Sequence, residues 1–161
     1  MKPLLYFPDR LVVRLVDDET GEAVPNIATD LTLYASAKND YHFGPPLSDE
    51  CGVISMEREW VARSIRETRN FFLMDYASTI EDCRPYVTVA VMSHEDIERA
   101  LEAIRIYGEE PKLGVETSAS ELESAANSRY EPQEVTINLD RPGEQTREVV
   151  IWLRRRPSSR S

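Results

Sequence analysis

The stretch Leu11-Val-Val-Arg-Leu-Val-Asp17 constrains this chain more than any other. Val and Leu dominate it, and β-branched side chains fit a pleated backbone better than a helix. It runs into Asp18-Glu-Thr-Gly21, a polar turn closed by a glycine that takes positive φ without steric cost. The chain returns through Ala23-Val-Pro25-Asn26 to Asp30-Leu-Thr-Leu-Tyr-Ala35. There Leu31, Leu33 and Ala35 alternate with Thr32, Tyr34 and Ser36. A period of two is that of a half-buried strand. Strand, tight turn and strand predict the entry of a β-sandwich.

Further along, Lys38-Asn-Asp-Tyr-His-Phe-Gly-Pro-Pro46 reads as a polar and aromatic loop, Ser48-Asp-Glu-Cys-Gly52 as a second turn, and Val53–Met56 as a third strand. At Glu57 the period changes. Trp60, Val61, Ile65, Thr68 and Phe72 recur at three- and four-residue steps, which predicts an amphipathic helix over 57–70. Phe71–Tyr76 is ambiguous between a helix end and a strand. Pro85–Met92, with Val87, Val89 and Val91 on one face, predicts a strong strand. Ser93-His-Glu-Asp96 has the pattern of a helix cap. Ile97, Ala100, Leu101 and Ile104 then form the apolar stripe of a helix over 94–107, with Glu95 and Arg99 as an i,i+4 pair. Residues 109–132, acidic and poor in large apolar side chains, read as a mobile loop with at best a weak helical turn or two around Ser120–Ala126. Val135–Leu139 and Glu148–Leu153 are two more strands, and Asp140-Arg-Pro-Gly143 between them predicts a terminal hairpin. Arg154 to Ser161 reads as a disordered basic tail.

The chain's 161 residues fit a single domain, 1–161, long enough to bury a core without staples. The fold class expected is mainly β, a sandwich with two inserted helices. An α+β fold on one antiparallel sheet is the alternative. No run approaches the length of a membrane helix, and Met1–Pro8 lacks the apolar core of a secretory signal, so a cytoplasmic location without membrane contact is expected. The net charge of −10 opposes nucleic-acid partners. Cys51 and Cys83 fit no zinc or redox spacing; two reduced thiols are expected, and a disulfide is left open.

The first fifty-odd residues resemble the carboxypeptidase-regulatory or transthyretin-like domain, a prealbumin relative of the immunoglobulin sandwich. The residues that carry the resemblance are Val16-Asp-Asp-Glu-Thr-Gly21, Ala23-Val-Pro25-Asn26, the strand at Leu31–Ala35, and Ser48-Asp-Glu-Cys-Gly52-Val-Ile54. It implies an interaction or structural module, since most such domains are non-catalytic. Members that cross-link themselves use a lysine on the first strand. Here that strand carries Arg14, and the chain's lysines are Lys2, Lys38 and Lys112. Related hydroxyisourate hydrolases use several histidines and a distinctive C-terminal tetrapeptide. This chain has His42 and His94 and ends in Ser158-Ser-Arg-Ser161.

Candidate chemistry is sparse. Asp17, Asp18 and Glu19 offer hard-cation ligands but lack the spacing of a calcium loop, so a turn capped by its own Asp is expected instead. A cysteine nucleophile needs a nearby base. Cys83 and His94 flank a strand of about eight residues, roughly 26 Å long, which keeps them apart. No motif implies a cofactor, a metal or a phosphate loop. Tyr41, His42 and Phe43 are candidate binding residues if exposed, or part of a loop folded over the sandwich end if not. Arg63 and Arg66 join them as candidates on the basic side of the first helix, among Arg58, Arg69, Glu59 and Glu67, although this pattern also describes an ion-paired solvated face. The expectation is an interaction module with a protein partner or a second copy, acting through a sheet edge, the 41–46 loop or the helices. The alternative is a small-ligand binder or hydrolase-type enzyme. Its pocket would lie between the sandwich and helix 94–107, using Asp75, Asp82, Cys83 or His42.

Overall fold

The computed structural model describes residues 6–36, 39–43, 46–68, 86–107 and 119–157. Strand β1 (Arg10–Asp17) turns Leu11, Val13 and Leu15 into the main core, and Phe7, just before it, is fully buried there. It lies between β4 (Val53–Glu57), antiparallel, and β7 (Thr146–Leu153), parallel. The second sheet has the order β3-β2-β5-β6 and is antiparallel throughout: β2 is Thr29–Ser36, β3 Asn39–Phe43, β5 Tyr86–Val91 and β6 Gln133–Asn138. Leu31, Leu33, Tyr41, Phe43, Val87, Val89 and Ile137 meet Leu11, Val13, Leu15, Ile54, Met56, Ile151 and Leu153 between the two sheets. The fold is a mainly β sandwich, as the opening stretch predicts.

Turn chemistry fixes the first corner. Asp49 Oδ1 accepts from Cys51 N and Val53 N, both at 2.9 Å, closing the Ser-Asp-x-x-Gly turn. Ser48 is buried and serves both ways: its hydroxyl donates to Val24 O at 2.8 Å and accepts from Ile27 N at 3.0 Å. Gly52 has φ +71, and a Cβ there would meet Leu15 O at 2.8 Å and Val24 N at 2.9 Å.

Helix α1 (Arg58–Thr68) follows β4 directly, sends Val61 into the main core and places Trp60 against Phe43, ring centroids 5.7 Å apart. Helix α2 (His94–Tyr107) starts at the predicted cap, where Asp96 N donates to Ser93 Oγ at 3.1 Å. Its apolar stripe closes a smaller cluster with Ala28, Leu47, Met92 and Leu122. The acidic partner of Arg99 is Asp96, one turn back, rather than Glu95. Among the described residues no helix is long and apolar enough to cross a membrane.

Two expectations change. The loop over 38–46 contains β3: Tyr41 and Phe43 point inward and His42 outward, the period of a strand hidden among turn-forming neighbours. β6 and β7 do not form a hairpin. The turn after Leu139 carries the chain from one sheet to the other, where β7 finds β1 instead. Where it is described, the acidic segment carries a short helix at the stretch that allowed one, and a further turn. Helix α3 (Ala119–Glu123) buries Leu122, and a 3-10 turn at Asn127–Arg129 buries Asn127. Short polar residues supply backbone-directed hydrogen bonds there, which hydrophobicity does not register. In residues 154–157, Arg155 bridges to Tyr130 and its guanidinium reaches Asp17. Phe71–Tyr76, Asp75, Asp82, Cys83 and residues 109–118 lie outside the described residues.

Candidate interaction surface

Alternation along the three-stranded sheet decides which side chains face out. On β1 these are Arg10, Val12, Arg14 and Val16, on β4 Val53, Ser55 and Glu57, and on β7 Thr146, Glu148, Val150 and Trp152. The register sets Arg14 beside Val150 and Val16 beside Trp152. Trp152 is 57% exposed and Val150 40%, next to each other on one face of one strand. A large aromatic in water beside a β-branched neighbour is the kind of feature that anchors protein contacts. Arg14 pairs with Glu148, and Arg10 Nε donates to Ser55 Oγ at 2.9 Å, so the apolar end is rimmed by charge on one side.

The edge of β7 is closed at its C-terminal half. Gln133 Nε2 donates to Trp152 O at 2.8 Å, Glu131 N to Arg154 O at 2.8 Å, and Arg156 N to Arg129 O at 2.9 Å. What β7 offers at Trp152 is therefore a face and not an edge. An anchor holds the closing segment in place. Asp17, at the inward end of β1, is 2% exposed. Its Oδ2 accepts from Arg155 Nε at 2.8 Å and Tyr130 OH at 2.9 Å, and its Oδ1 from Glu19 N at 2.9 Å and Thr20 N at 3.2 Å. The Arg155 guanidinium, above all, holds this carboxyl well below the usual carboxylate range. Burial opposes it, and the Glu19 amide and Tyr130 hydroxyl add to it. Asp17 thus caps its own turn as expected, and its oxygens are fully used. Among the described residues no cluster of three or more His, Cys, Asp or Glu side chains is arranged to hold a metal ion.

The residues singled out from the sequence do not form one surface. Tyr41 and Phe43 are core residues. His42 lies on the outer face of the four-stranded sheet, its Nδ1 3.0 Å from Thr32 Oγ1 and 4.0 Å from Asp30 Oδ1, near the stacked pair Tyr34–Tyr86 with centroids 4.6 Å apart. Arg63 is exposed on α1; Arg66 belongs to the same helix, but its side chain lies outside the described residues. Between the sandwich and α2, where a pocket was the alternative, the helix turns Ile97, Ala100, Leu101 and Ile104 onto Ala28 and Leu122. A depression of about 380 Å³ lies elsewhere, between β6 and β7, lined by Val135, Ile137, Val149, Arg141 and Arg147. It is open to solvent, unlike the sites that bury most of a small ligand's surface.

Sequence reasoning missed Val150 and Trp152. Glu148-Val-Val-Ile-Trp-Leu153 is apolar at both parities after its first residue, which is also how a strand covered on both sides reads. The first strand, Leu11–Asp17, places Arg14 outward beside it, but only the folded pairing of β1 with β7 brings the two together. Comparison of the chain with protein-family models, curated proteins and solved structures finds no match.

Proposed function

We propose that this chain is a non-catalytic protein-interaction module that docks a partner on the outer face of its three-stranded sheet, with Trp152 as the anchor. The observation that carries this is the exposure of Trp152 at 57% beside Val150 at 40%, on a rigid strand whose other face builds the core. Fully burying an aromatic of this size contributes roughly 2–3 kcal/mol, enough to matter and to be worth keeping out of water. The transthyretin-like resemblance of the first fifty residues supports the same role, since such domains serve mostly as interaction modules.

A photo-crosslinking amino acid at position 150 tests it. Irradiation in a lysate of the source should give a discrete protein adduct, identified by mass spectrometry, that disappears in Trp152→Glu. No adduct, or one indifferent to Trp152→Glu, removes the proposal.

A further inference from the structure

Along β7 the outward side chains read Glu148, Val150, Trp152 and, one step past the strand, Arg154. Arg154 keeps the parity: Ile151 and Leu153 point inward, and Arg155 continues inward to Asp17. The column is acid, apolar, apolar, base. Rotation by a two-fold axis crossing the strand at Ile151 maps it onto its own complement. Glu148 then faces Arg154 of the second copy, and Val150 faces its Trp152. We propose that the partner of this face is a second copy of this chain, packed sheet on sheet with the two β7 strands antiparallel. The proposal rests on the docking role of the Trp152 face given above.

Three further observations support this occupant. The face carries Arg10, Arg14 and Arg154 against Glu57 and Glu148, so it is close to neutral in a chain of net charge −10. Two copies therefore repel one another less here than an average surface of this chain does. Glu148 pairs with Arg14 and Arg154 stands 4.0 Å from Glu131, and at 49% and 75% exposed both can exchange these partners for one another across the two-fold. Edge-to-edge pairing through the same column is blocked, because Gln133 and Glu131 already occupy the β7 carbonyls at 152 and 154. Two stacked sheets align within about 30° and about 10 Å apart, which such a column can span. Two strands of eight residues and one of five, about 4.8 Å apart, present roughly 330 Å² in projection, short of the ~800 Å² per partner of a standard interface. The dimer is accordingly weak and concentration-dependent.

Sedimentation equilibrium on the full chain, over a wide concentration range, tests this with three variants. The wild type should rise from one to two chain masses. Trp152→Ser should stay monomeric. Glu148→Arg and Arg154→Glu, each alone, should raise the dissociation constant about tenfold or more, because each sets like charges together. An equimolar mixture of the two should dimerise again, since every introduced charge then meets its opposite. These are surface pairs worth about 0–1 kcal/mol within a chain, so circular dichroism should find both variants folded. A wild type that stays monomeric overturns the proposal, as does a dimer that both charge variants retain. A monomer that instead co-sediments with anionic phospholipid vesicles overturns it too. If the wild type is monomeric while the position-150 probe still gives an adduct with another protein, self-association fails and the docking face stands. If there is no adduct either, both fail.

Discussion

Asp17 closes its own turn and holds Tyr130 and Arg155 to the first strand, through four hydrogen bonds to three segments. Its folded carboxyl titrates well below its ordinary value of 3.8, with the Arg155 guanidinium as the main cause. A depressed carboxyl contributes stability that is fully present above the unfolded value and is lost as pH falls through the folded one. Melting temperature should therefore be higher for the wild type than for Asp17→Asn at neutral pH, with the gap closing as pH drops below about 4. Parallel melting curves from neutral pH to pH 2 would show that the ionised form is not what matters. Glycine makes a second residue-scale contrast. Gly21 and Gly52 both have positive φ, at 74° and 71°, but only Gly52 has backbone atoms where a Cβ would go. Gly21→Ala should cost on the order of 1 kcal/mol from strain alone, and Gly52→Ala roughly 2–4 kcal/mol because Leu15 O and Val24 N must also move. Urea titration of the two variants measures the difference; equal midpoints would mean the corner relaxes freely.

Asn127 does for the elements what Asp17 does for the ends. It is fully buried in the 3-10 turn. Its Nδ2 donates to Ala28 O at 2.9 Å and Met92 O at 2.8 Å, and its Oδ1 accepts from Ala28 N at 2.8 Å. One side chain thereby joins the approach to β2, the exit of β5 and the segment after α3. Asn127→Ala leaves the Ala28 N–H and the Met92 carbonyl without a partner, while Ala28 O keeps Met92 N at 3.2 Å; at about 1–3 kcal/mol for each orphaned group, a loss of about 3 kcal/mol is expected. Hydrogen exchange should accelerate most at the Ala28 amide; a uniform acceleration would point to general loosening instead. Nothing in Ala125-Ala-Asn-Ser128 distinguishes this asparagine from the many that cap turns, which is why an acidic, Ser- and Ala-rich stretch reads as a mobile loop. The strands at Leu31 and Val87 and the helix at His94 were legible because periodicity is local. The partner of β7 was not: Asp140-Arg-Pro-Gly143 turns the chain equally well into a hairpin or across to the opposite sheet. Which one forms depends on whether β6 or β1 offers the better neighbour. The same ambiguity hid Trp152, since only the pairing with β1 decides that its side of β7 faces water.

At the scale of the whole molecule, the parallel pairing of β1 with β7 makes the sandwich depend on the last part of the chain. Every residue of β1 has a register partner on β7, from Arg10 with Thr146 to Asp17 with Leu153. β7 contributes Ile151 and Leu153, both buried, to a core that already contains Leu11, Val13 and Leu15. Losing the packing of one buried Leu or Ile costs about 2–5 kcal/mol, and an ordinary domain is stable by only about 5–15 kcal/mol in all. A chain ending at Gln145 should therefore show no cooperative thermal transition. A chain ending at Leu153 keeps the core but loses Arg155, so it should fold, melt below the full chain and show a smaller Asp17-dependent difference in acid. A chain ending at Pro157 keeps both and should recover the full Asp17-dependent difference in acid. Calorimetry on this series separates three contributions: the core strand, the Asp17 anchor and the terminal residues. A cooperative melt from the chain ending at Gln145 would mean that β4 and β1 close the sandwich alone. The face bearing Trp152 would then be dispensable to the fold as well as exposed on it.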